Sequence, residues 1–181
     1  MDECIKKVLL IDNMNLLHRS HYAYPRLTTK DGAPTGAFFG MVVYLKSLIN
    51  TFKPEHIIVC SDAHRITFRN KIYPAYKMQR DETPEELRAQ FEFVERYLQK
   101  CNAKFIKLDD YEADDLMGSL ATKAKEYGYY PYIVSGDRDL MQLVGEDIAQ
   151  IYVSNKGLIE FNAEMVEEKV GVRTDQVIDY K

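Results

Sequence analysis

Short runs of apolar, largely β-branched residues alternate along the chain with segments of helical periodicity. The apolar runs cover residues 8–11, 57–60, 105–108 and 132–134. Apart from Lys107 they are continuous rather than interrupted at every second position, which is typical of strands buried on both faces. Helices are predicted between and after them, at residues 37–52, 84–100, 111–127 and 138–144. Because strands that alternate with helices form parallel sheets, the pattern predicts an α/β fold: a three-layer sandwich around a central, mostly parallel sheet.

Local signals mark where several of these elements begin and end. The sequence Thr83-Pro84-Glu85-Glu86 combines a capping box with proline at the first helical position, which predicts the start of the helix over residues 84–100. Gly128, in a left-handed conformation, is predicted to end the helix over residues 111–127. Asn162 and Thr174 are predicted N-caps of two short final helices.

Two further strands are expected near the end of the chain. Residues 148–153 and 158–161 have strand character and are joined through Asn155-Lys156-Gly157, which indicates an edge hairpin. The long interval over residues 62–83 has no clear periodicity. A connection of that length in a compact domain is usually functional, the alternative being a mobile surface loop.

The composition fits one globular domain spanning residues 1–181. Hydrophobic residues make up 46% of the chain and aromatic residues 12%, which argues against disorder. The three cysteines are far apart and never form CxxC, so neither a disulfide framework nor a zinc site is supported. No apolar run is long enough to cross a bilayer and the N-terminus is unlike a signal peptide, so no membrane contact and a cytoplasmic location are expected.

Charge is distributed unevenly along the chain. The formal net charge of -4 is unusual for a nucleic-acid-binding protein, because phosphate contacts need positive potential. Residues 63–80 nevertheless carry five lysines and arginines and no acid, whereas acids concentrate at residues 109–115. A basic segment beside an acidic cluster is what metal-dependent phosphodiester chemistry requires.

Carboxylates follow three of the predicted strands. Asp12, Asp62 and Asp137 come directly after or shortly after the runs 8–11, 57–60 and 132–134, and Asp139 follows closely. Because the carboxyl ends of parallel strands meet at one edge of an open sheet, these acids are expected to face one another. A single Asp after a strand is more often a turn or helix cap than a metal ligand.

Three more acids begin the helix predicted over residues 111–127. They are Glu112, Asp114 and Asp115. Carboxylates at a helix N-terminus are often explained by the helix dipole alone. Seven acids at one edge would repel one another and raise each other's pKa values, whereas divalent metal would relieve the repulsion. Magnesium prefers oxygen ligands, and two such ions can activate water and stabilise the leaving oxygen of a phosphodiester.

The ordered blocks of the sequence resemble a known family. These blocks are Leu9-Leu10-Ile11-Asp12, Thr67-Phe68-Arg69 with Tyr73-Pro74-Ala75-Tyr76-Lys77-Met78-Gln79-Arg80, Glu112-Ala113-Asp114-Asp115, and Gly136-Asp137-Arg138-Asp139. From about residue 8 to residue 179 the chain resembles the 5′ to 3′ exonuclease domain of bacterial DNA polymerase I and the phage-type flap endonucleases. The fold this implies is the PIN-like carboxylate-nuclease fold.

The resemblance implies roles for individual residues. All seven acids would be direct or water-mediated ligands of two magnesium ions, with manganese able to substitute. Lys77 and Arg80 would be the catalytic cations near the scissile phosphate, in a basic arch segment over residues 63–81 through which a single-stranded 5′ end passes. We call residues 63–81 the arch segment.

Four further residues are candidates for DNA binding. Arg69 is a candidate phosphate contact, and Arg19 lies where the family places residues near the DNA, although it would also suit an ordinary exposed helix face. Tyr73 and Tyr76 are candidates for stacking on an unpaired base, the alternative being that they pack the loop onto the domain.

The chain also departs from the family pattern. Family members continue past residue 179 into further aspartates and a helical element that grips duplex DNA, and this C-terminal element is absent from the sequence. The chain is therefore read as truncated, as half of a split enzyme, or as a short natural form. Asn13-Met14-Asn15 stands where small residues are usual and would crowd the approach to the metals.

The leading hypothesis is a magnesium-dependent 5′ to 3′ exonuclease or 5′-flap endonuclease, acting on DNA in replication and repair with water as nucleophile. Its partners would be DNA with single-stranded 5′ ends or flaps, and a separate C-terminal fragment or polymerase. The alternatives are a weak or inactive DNA-binding relative, or half of a split nuclease that needs a second chain. A ribonuclease stays open, because metal-carboxylate chemistry does not depend on the sugar. A phosphotransfer domain ranks low, since Asp12 is followed by Asn13-Met14.

Overall fold

A six-stranded sheet forms the centre of the molecule. The computed structural model describes residues 5–154 and 157–180. The strands are β1 (Lys6–Asp12), β2 (His56–Cys60), β3 (Lys104–Ile106), β4 (Tyr129–Val134), β5 (Ala149–Ser154) and β6 (Gly157–Phe161). Their order in the sheet is β3-β2-β1-β4-β5-β6, and all neighbours are parallel except β5 and β6. The predicted mostly parallel sheet with an antiparallel edge hairpin is confirmed.

Helices cover both faces of this sheet. They are α1 (Asn13–Ala23), α2 (Gly36–Phe52), α3 (Phe68–Ile72), α4 (Glu85–Arg88), α5 (Phe91–Lys100), α6 (Ala113–Glu126), α7 (Ala163–Val170) and α8 (Val177–Tyr180), with 3₁₀ helices at Asp139–Leu143 and Thr174–Gln176. None of the helices in the described ranges is long and apolar enough to cross a membrane.

Alternate residues of β1 enter separate cores on the two faces. Leu9 and Ile11 belong to a cluster that includes residues of α1, α2 and α5. Val8 and Leu10 belong to a second cluster with Met117 and other residues of α6. Since side chains of a strand alternate between faces, a strand buried on both sides must be apolar at every position. The run at residues 8–11 is apolar at every position because helices pack on both faces of β1, which is also what makes the fold a three-layer sandwich.

The position of β1 determines where ligands can bind. The chain places β2 and β3 on one side of β1, and α6 then carries it back so that β4 lies on the other side. The carboxyl ends of β1 and β4 therefore flank the point at which the strand order reverses. In open parallel sheets, that point is where a ligand crevice forms.

The prediction of one continuous helix over residues 84–100 is wrong. This segment is divided into α4 and α5 by a turn at Ala89 and Gln90. The Gln90 side chain donates to the Glu86 carbonyl at 2.8 Å, and its own N–H bonds instead to the Leu87 carbonyl at 3.0 Å. Gln90 Oε1 also accepts from the Phe38 N–H at 3.0 Å. A buried amide that competes for helix carbonyls and ties two helices together interrupts the helical ladder.

Several smaller expectations about helix ends are also corrected. Pro84 lies just before the first helical residue, with no side-chain cap there. The helix expected at residues 138–144 is the 3₁₀ helix Asp139–Leu143, and Arg173, not Thr174, precedes the final 3₁₀ helix. The interval over residues 62–83 contains the short helix α3.

Two predicted caps are confirmed. Asn162 accepts from the Met165 N–H at 2.8 Å, and Gly128 has a φ of 76°. Of the predicted hairpin linker, Asn155 and Lys156 lie outside the described residues.

Candidate metal centre

Asp12 ends β1 at the reversal point of the sheet. It is 8% exposed; its Oδ1 accepts from the Asn15 N–H at 3.0 Å, which caps α1, and its Oδ2 accepts from Ser135 Oγ at 2.9 Å. Burial raises the pKa of Asp12, the two hydrogen bonds oppose that rise, and the charges of Asp62 and Asp137 add to it. Within residues 5–154 and 157–180, no lysine or arginine pairs with this carboxylate. The ionised form of Asp12 therefore lacks a compensating cation.

Asp114, in the first turn of α6, lies in the same field of negative charge. Burial raises its pKa to about 7, and the charges of Asp12, Asp137 and Glu112 add to the rise, whereas Lys77 lowers it. Mutual repulsion of this kind requires that the carboxylates lie close together. The structure thus brings together acids that are more than 100 positions apart in the sequence. We call the space between Asp12, Asp62, Glu112, Asp114 and Asp137 the acidic crevice.

Asp62 joins the end of β2 to the start of α6. Its Oδ1 accepts from the Ala113 N–H at 2.8 Å. The first N–H groups of a helix have no partner within the helix, so a carboxylate placed there satisfies one of them. This bond orients the helix start, and with it Glu112 and Asp114, toward the ends of the strands.

Glu112 immediately precedes α6 and is held by the arch segment. It is 7% exposed, and its Oε2 accepts from Lys77 Nζ at 2.8 Å and from the Tyr76 hydroxyl at 3.3 Å. Burial lowers the pKa of Lys77, but the contact with Glu112 more than offsets this and the pKa is raised. Lys77 has a φ of 54°, in the left-handed region, so the turn that carries it is sharply folded.

Asp115 is paired with Arg69 rather than directed freely into the acidic crevice. Two parallel hydrogen bonds of 2.7 Å join the guanidinium to the carboxylate, and Arg69 NH1 is also 3.8 Å from Glu112 Oε2. The hydrogen bond from Arg69 lowers the pKa of Asp115. In this arrangement two cations of the arch segment, Arg69 and Lys77, neutralise the acids at the α6 end of the site.

Asp137 and Asp139 occupy the turn that follows β4. The Asp139 N–H donates to Asp137 Oδ1 at 2.9 Å, and the Asp137 N–H donates to Ser135 Oγ at 3.1 Å. Both aspartates are partly buried. The turn is therefore fixed by its own backbone, with Asp137 facing Asp12 and Asp114 closely enough to raise the pKa of each.

The chemistry of these donors fits a hard divalent cation. All are carboxylate oxygens, and the pKa values of Asp12 and Asp114 are raised because negative charge is buried without enough positive charge. In the described ranges, no three Asp, Glu, His or Cys side chains already surround one point as a compact ligand cage. Magnesium ordinarily keeps several waters and takes one or two carboxylates, so spaced carboxylates suit it.

Other predicted site residues lie further from the acids. Arg80 is exposed, and its carbonyl accepts from Arg65 NH2 at 2.8 Å, which closes the arch segment on itself. Tyr73 is 62% exposed, whereas Tyr76 is half-buried against Glu112, as in the alternative where it packs the loop onto the domain. Base stacking and phosphate contact by the arch segment stay predictions.

Arg19 lies on α1 beside the turn after β4. Its NH2 donates to the Tyr152 hydroxyl at 3.2 Å, and the guanidinium is 5.1 Å from the centre of that ring. Its buried Nε has no partner in the part of the chain that the structure describes. It lines a cavity of about 380 Å³ with Asn15, His18, Tyr22 and Ala23. The Arg19 side chain therefore packs against Tyr152 instead of lying on an ordinary exposed helix face. Its contact with DNA stays a prediction.

Two residues near the acidic crevice, Ser135 and Gln150, were not predicted from the sequence, whereas Asn13 and Asn15 were expected near the metals. Asn15 Oδ1 accepts from the Gly136 N–H at 2.8 Å, and Ser135 and the fully buried Gln150 bond within the same turn. Asn13 likewise donates to Ser61 Oγ at 3.2 Å, so these asparagines join the walls of the crevice. The signal for Gln150 was a lone amide in an apolar strand.

Comparisons with known proteins show which family the chain belongs to. The family model described as 5′-3′ exonuclease, N-terminal resolvase-like domain matches residues 7–171. The chain is 34% identical to DNA polymerase I of Bacillus caldotenax over 179 residues, covering 97% of this chain and 20% of that protein. It is 36% identical over 176 residues to a 5′-3′ exonuclease of Aquifex aeolicus, covering 97% of this chain and 60% of that protein. The chain thus spans about a fifth of the polymerases and three fifths of the exonuclease.

Solved structures share the fold. T5 5′-exonuclease with bound zinc has a TM-score of 0.72 at 21% identity, covering 96% of this chain and 64% of that one. Bacteriophage T5 flap endonuclease, in a pseudo-enzyme-product complex with DNA and metal ions, has a TM-score of 0.74 at 22% identity with the same coverage. These likenesses confirm the α/β architecture. From the family model and the relatives above 30% identity, the chain belongs to the family of 5′-3′ exonuclease N-terminal, resolvase-like domains.

Proposed function

We propose that this domain is a metal-dependent 5′ nuclease that cuts DNA carrying single-stranded 5′ ends or flaps. The observation that carries the proposal is the acidic crevice itself, where Asp12, Asp62, Asp114 and Asp137 share one electrostatic field at the reversal point of the sheet. Burying a carboxylate without a cation costs free energy, and Asp12 and Asp114 bear that cost, which favours a site that binds a cation. Membership of the family supports the same function.

The acids would hold two magnesium ions, with manganese as substitute. Asp12, Asp114 and Asp137 are the best-supported ligands, because their charges interact with one another. Asp62, Glu112, Asp115 and Asp139 would contribute directly or through water. When bound, the metal supplies a nucleophilic water at neutral pH and neutralises charge on the phosphate. Arg69 bonds to both oxygens of Asp115, whereas Lys77 bonds to Glu112 through Oε2, so Glu112 is the more accessible of these two acids to a metal.

The arch segment supplies positive charge above the acids. Lys77 and Arg69 lie at the α6 end of the crevice, where they can approach a phosphate once DNA enters. Arg80 and Tyr73 project from the exposed side of the segment and are suited to the single strand beyond the cut. Cations aimed at a developing phosphate charge lower the barrier to its cleavage.

The substrate is DNA in this proposal, and a polymerase is a candidate partner. Several of the relatives are DNA polymerase I chains, in which the matching part is about a fifth of the length. A nuclease working beside a polymerase would remove the 5′ strand that synthesis displaces. Replication and repair are the processes this would serve.

The test compares two labelled duplexes, one with a 5′ flap and one with a 3′ flap of the same sequence, with and without magnesium. We expect magnesium-dependent cutting near the junction of the 5′ flap only. Binding without cutting would make this a DNA-binding relative, and cutting only after a C-terminal fragment is added would make it part of a split enzyme. Equal cutting of both flaps, or of RNA in preference to DNA, would overturn the proposed substrate.

A further inference from the structure

We propose that Ser135 and Gln150 are positioning residues that fix Asp12 and the Asp137 turn in the geometry a metal requires. The inference rests on the proposed function of these two aspartates. Neither Ser135 nor Gln150 is a candidate ligand, and both are buried, at 2% and 0% exposure. Their contribution would be made through hydrogen bonds to the residues that carry the acids.

Ser135 joins the two strands that flank the reversal point. Its hydroxyl donates to Asp12 Oδ2 at 2.9 Å and accepts from the Asp137 N–H at 3.1 Å. A serine hydroxyl has one proton to donate and lone pairs to accept, so it can make both bonds at once. Asp12 Oδ1 is already held by the Asn15 N–H. With one bond to each oxygen, the plane of the Asp12 carboxylate is set relative to Asp137.

Gln150 holds the turn from the other side. It lies on β5, opposite Ile133 of β4 in the sheet. Its Nε2 donates to the Ser135 carbonyl at 2.9 Å and to the Asp137 carbonyl at 2.7 Å. One amide group thus spans the residues between the end of β4 and Asp137, and uses both of its N–H groups in doing so.

The other end of the Gln150 amide indicates what the side chain does. Its Oε1 is buried and has no partner among the described residues. A buried, unsatisfied oxygen costs free energy, whereas an apolar side chain of similar size would avoid that cost. The benefit of glutamine at this position is therefore the fixed turn rather than the stability of the core.

Fixing the turn matters because metal affinity depends on the residues behind the ligands. Loss of an outer hydrogen-bond partner typically weakens metal binding by about 10- to 100-fold, since the ligands must then be ordered by the metal itself. Ser135 and Gln150 each remove freedom from Asp12, Asp137 or the backbone between them. We expect their loss to act on metal affinity while Asp12 and Asp137 remain in place.

The experiment titrates Mn²⁺ alone into the metal-free chain by calorimetry. The test variants are Ser135→Ala and Gln150→Leu. The matched controls are Ser20→Ala and Gln90→Leu. Ser20 and Gln90 are also buried, at 0% and 2% exposure, and among the described residues their side chains bond to groups outside the acidic crevice. Both test variants should lose affinity by about 10-fold or more, and both controls should stay within about twofold of the unaltered chain. Ser135→Thr, which keeps the hydroxyl, should recover most of the affinity.

The possible results separate this inference from the proposed function. If the unaltered chain binds no Mn²⁺, the proposed function fails. If it binds, and Ser135→Ala and Gln150→Leu bind equally well, the positioning inference is overturned and the function stands. Circular dichroism melts identify any variant that does not fold. Should Gln150→Leu be one of these, the smaller change Ser135→Ala decides the question.

Discussion

At the scale of single residues, Asp114 shows how function and stability oppose each other. Its pKa is about 7 in the folded chain against 3.8 for a free side chain. A carboxyl group with a raised pKa binds its proton more tightly when folded. Stability from this group is therefore greatest below pH 4 and is lost as pH rises toward 7. Above pH 7, the ionised Asp114 opposes folding unless a cation is bound.

Asp114→Asn should therefore stabilise the metal-free protein. At pH 8 we expect the free energy of unfolding to rise by about 1–2 kcal/mol, because the variant no longer carries the ionised carboxylate whose burial opposes folding. The partial exposure of Asp114 keeps the gain in this range. The gain should shrink toward zero at pH 4, where the carboxyl group is protonated. Urea denaturation in EDTA at both pH values measures this, with Asp31→Asn in an exposed loop as control. A gain of equal size at pH 4 and pH 8 would contradict the electrostatic account.

Lys77 offers a second prediction at this scale. Its partner Glu112 has a side chain 9% exposed, whereas Lys71 makes a 2.7 Å ion pair with Asp110, whose side chain is 50% exposed. In the absence of metal, Lys77→Met should lower the free energy of unfolding by about 1–3 kcal/mol, because it removes the nearer of the two cations that pair with this buried carboxylate and leaves Arg69 at 3.8 Å. Lys71→Met should cost about 1 kcal/mol or less.

Magnesium distinguishes the two lysines further. A metal that neutralises Glu112 should recover part of the stability lost in Lys77→Met and none of that lost in Lys71→Met. Thermal melts with and without magnesium provide the comparison. Equal responses of the two variants to magnesium would show that Glu112 does not share in metal binding.

At the scale of elements, what could be predicted followed from periodicity and from individual caps. Apolar runs predicted β1 to β4, the hairpin pattern predicted β5 and β6, and Gly128 and Asn162 ended or began helices as their chemistry requires. The division between α4 and α5 was not predictable, because Gln90 is held in place by the Phe38 N–H, which donates to Gln90 Oε1 from 52 positions away. Helix α3 was missed because five residues are too few to show a period.

The contact of α1 with α2 gives a prediction for whole elements. A methyl group on Gly40 would lie 2.5 Å from Ser20 Cβ, so the helices would have to move apart. Gly40→Ala should cost about 1–3 kcal/mol of stability and displace α1, which begins at the Asp12 cap. Gly145→Ala is the control, because nothing lies within 4 Å of its added Cβ. Chemical denaturation that gives the same stability for both variants would contradict close packing of α1 on α2.

At the scale of the whole molecule, the site exists only because of the topology. Asp12, Asp62, Asp114 and Asp137 come from β1, β2, α6 and the turn after β4, and the reversal of strand order makes them neighbours. The acids were predictable because each follows a strand or begins a helix. The ion pairs of these acids were not predictable. Asp115 pairs with Arg69 and Glu112 with Lys77 because of the path that the arch segment takes in the folded chain. The contacts of Ser135 and Gln150 were likewise not predictable, because they depend on the pairing of β4 with β5.

The most direct test of the central claim measures magnesium-dependent cleavage of a 5′-flap duplex by three charge-neutralised variants, Asp12→Asn, Asp114→Asn and Asp137→Asn. Asp175→Asn, exposed and paired only with Arg173 in the described chain, is the matched control. If these acids form one metal centre, each of the three should reduce the rate by about 100-fold or more, and the control should leave it unchanged. Cleavage that survives in any of the three at the unaltered rate would contradict the account.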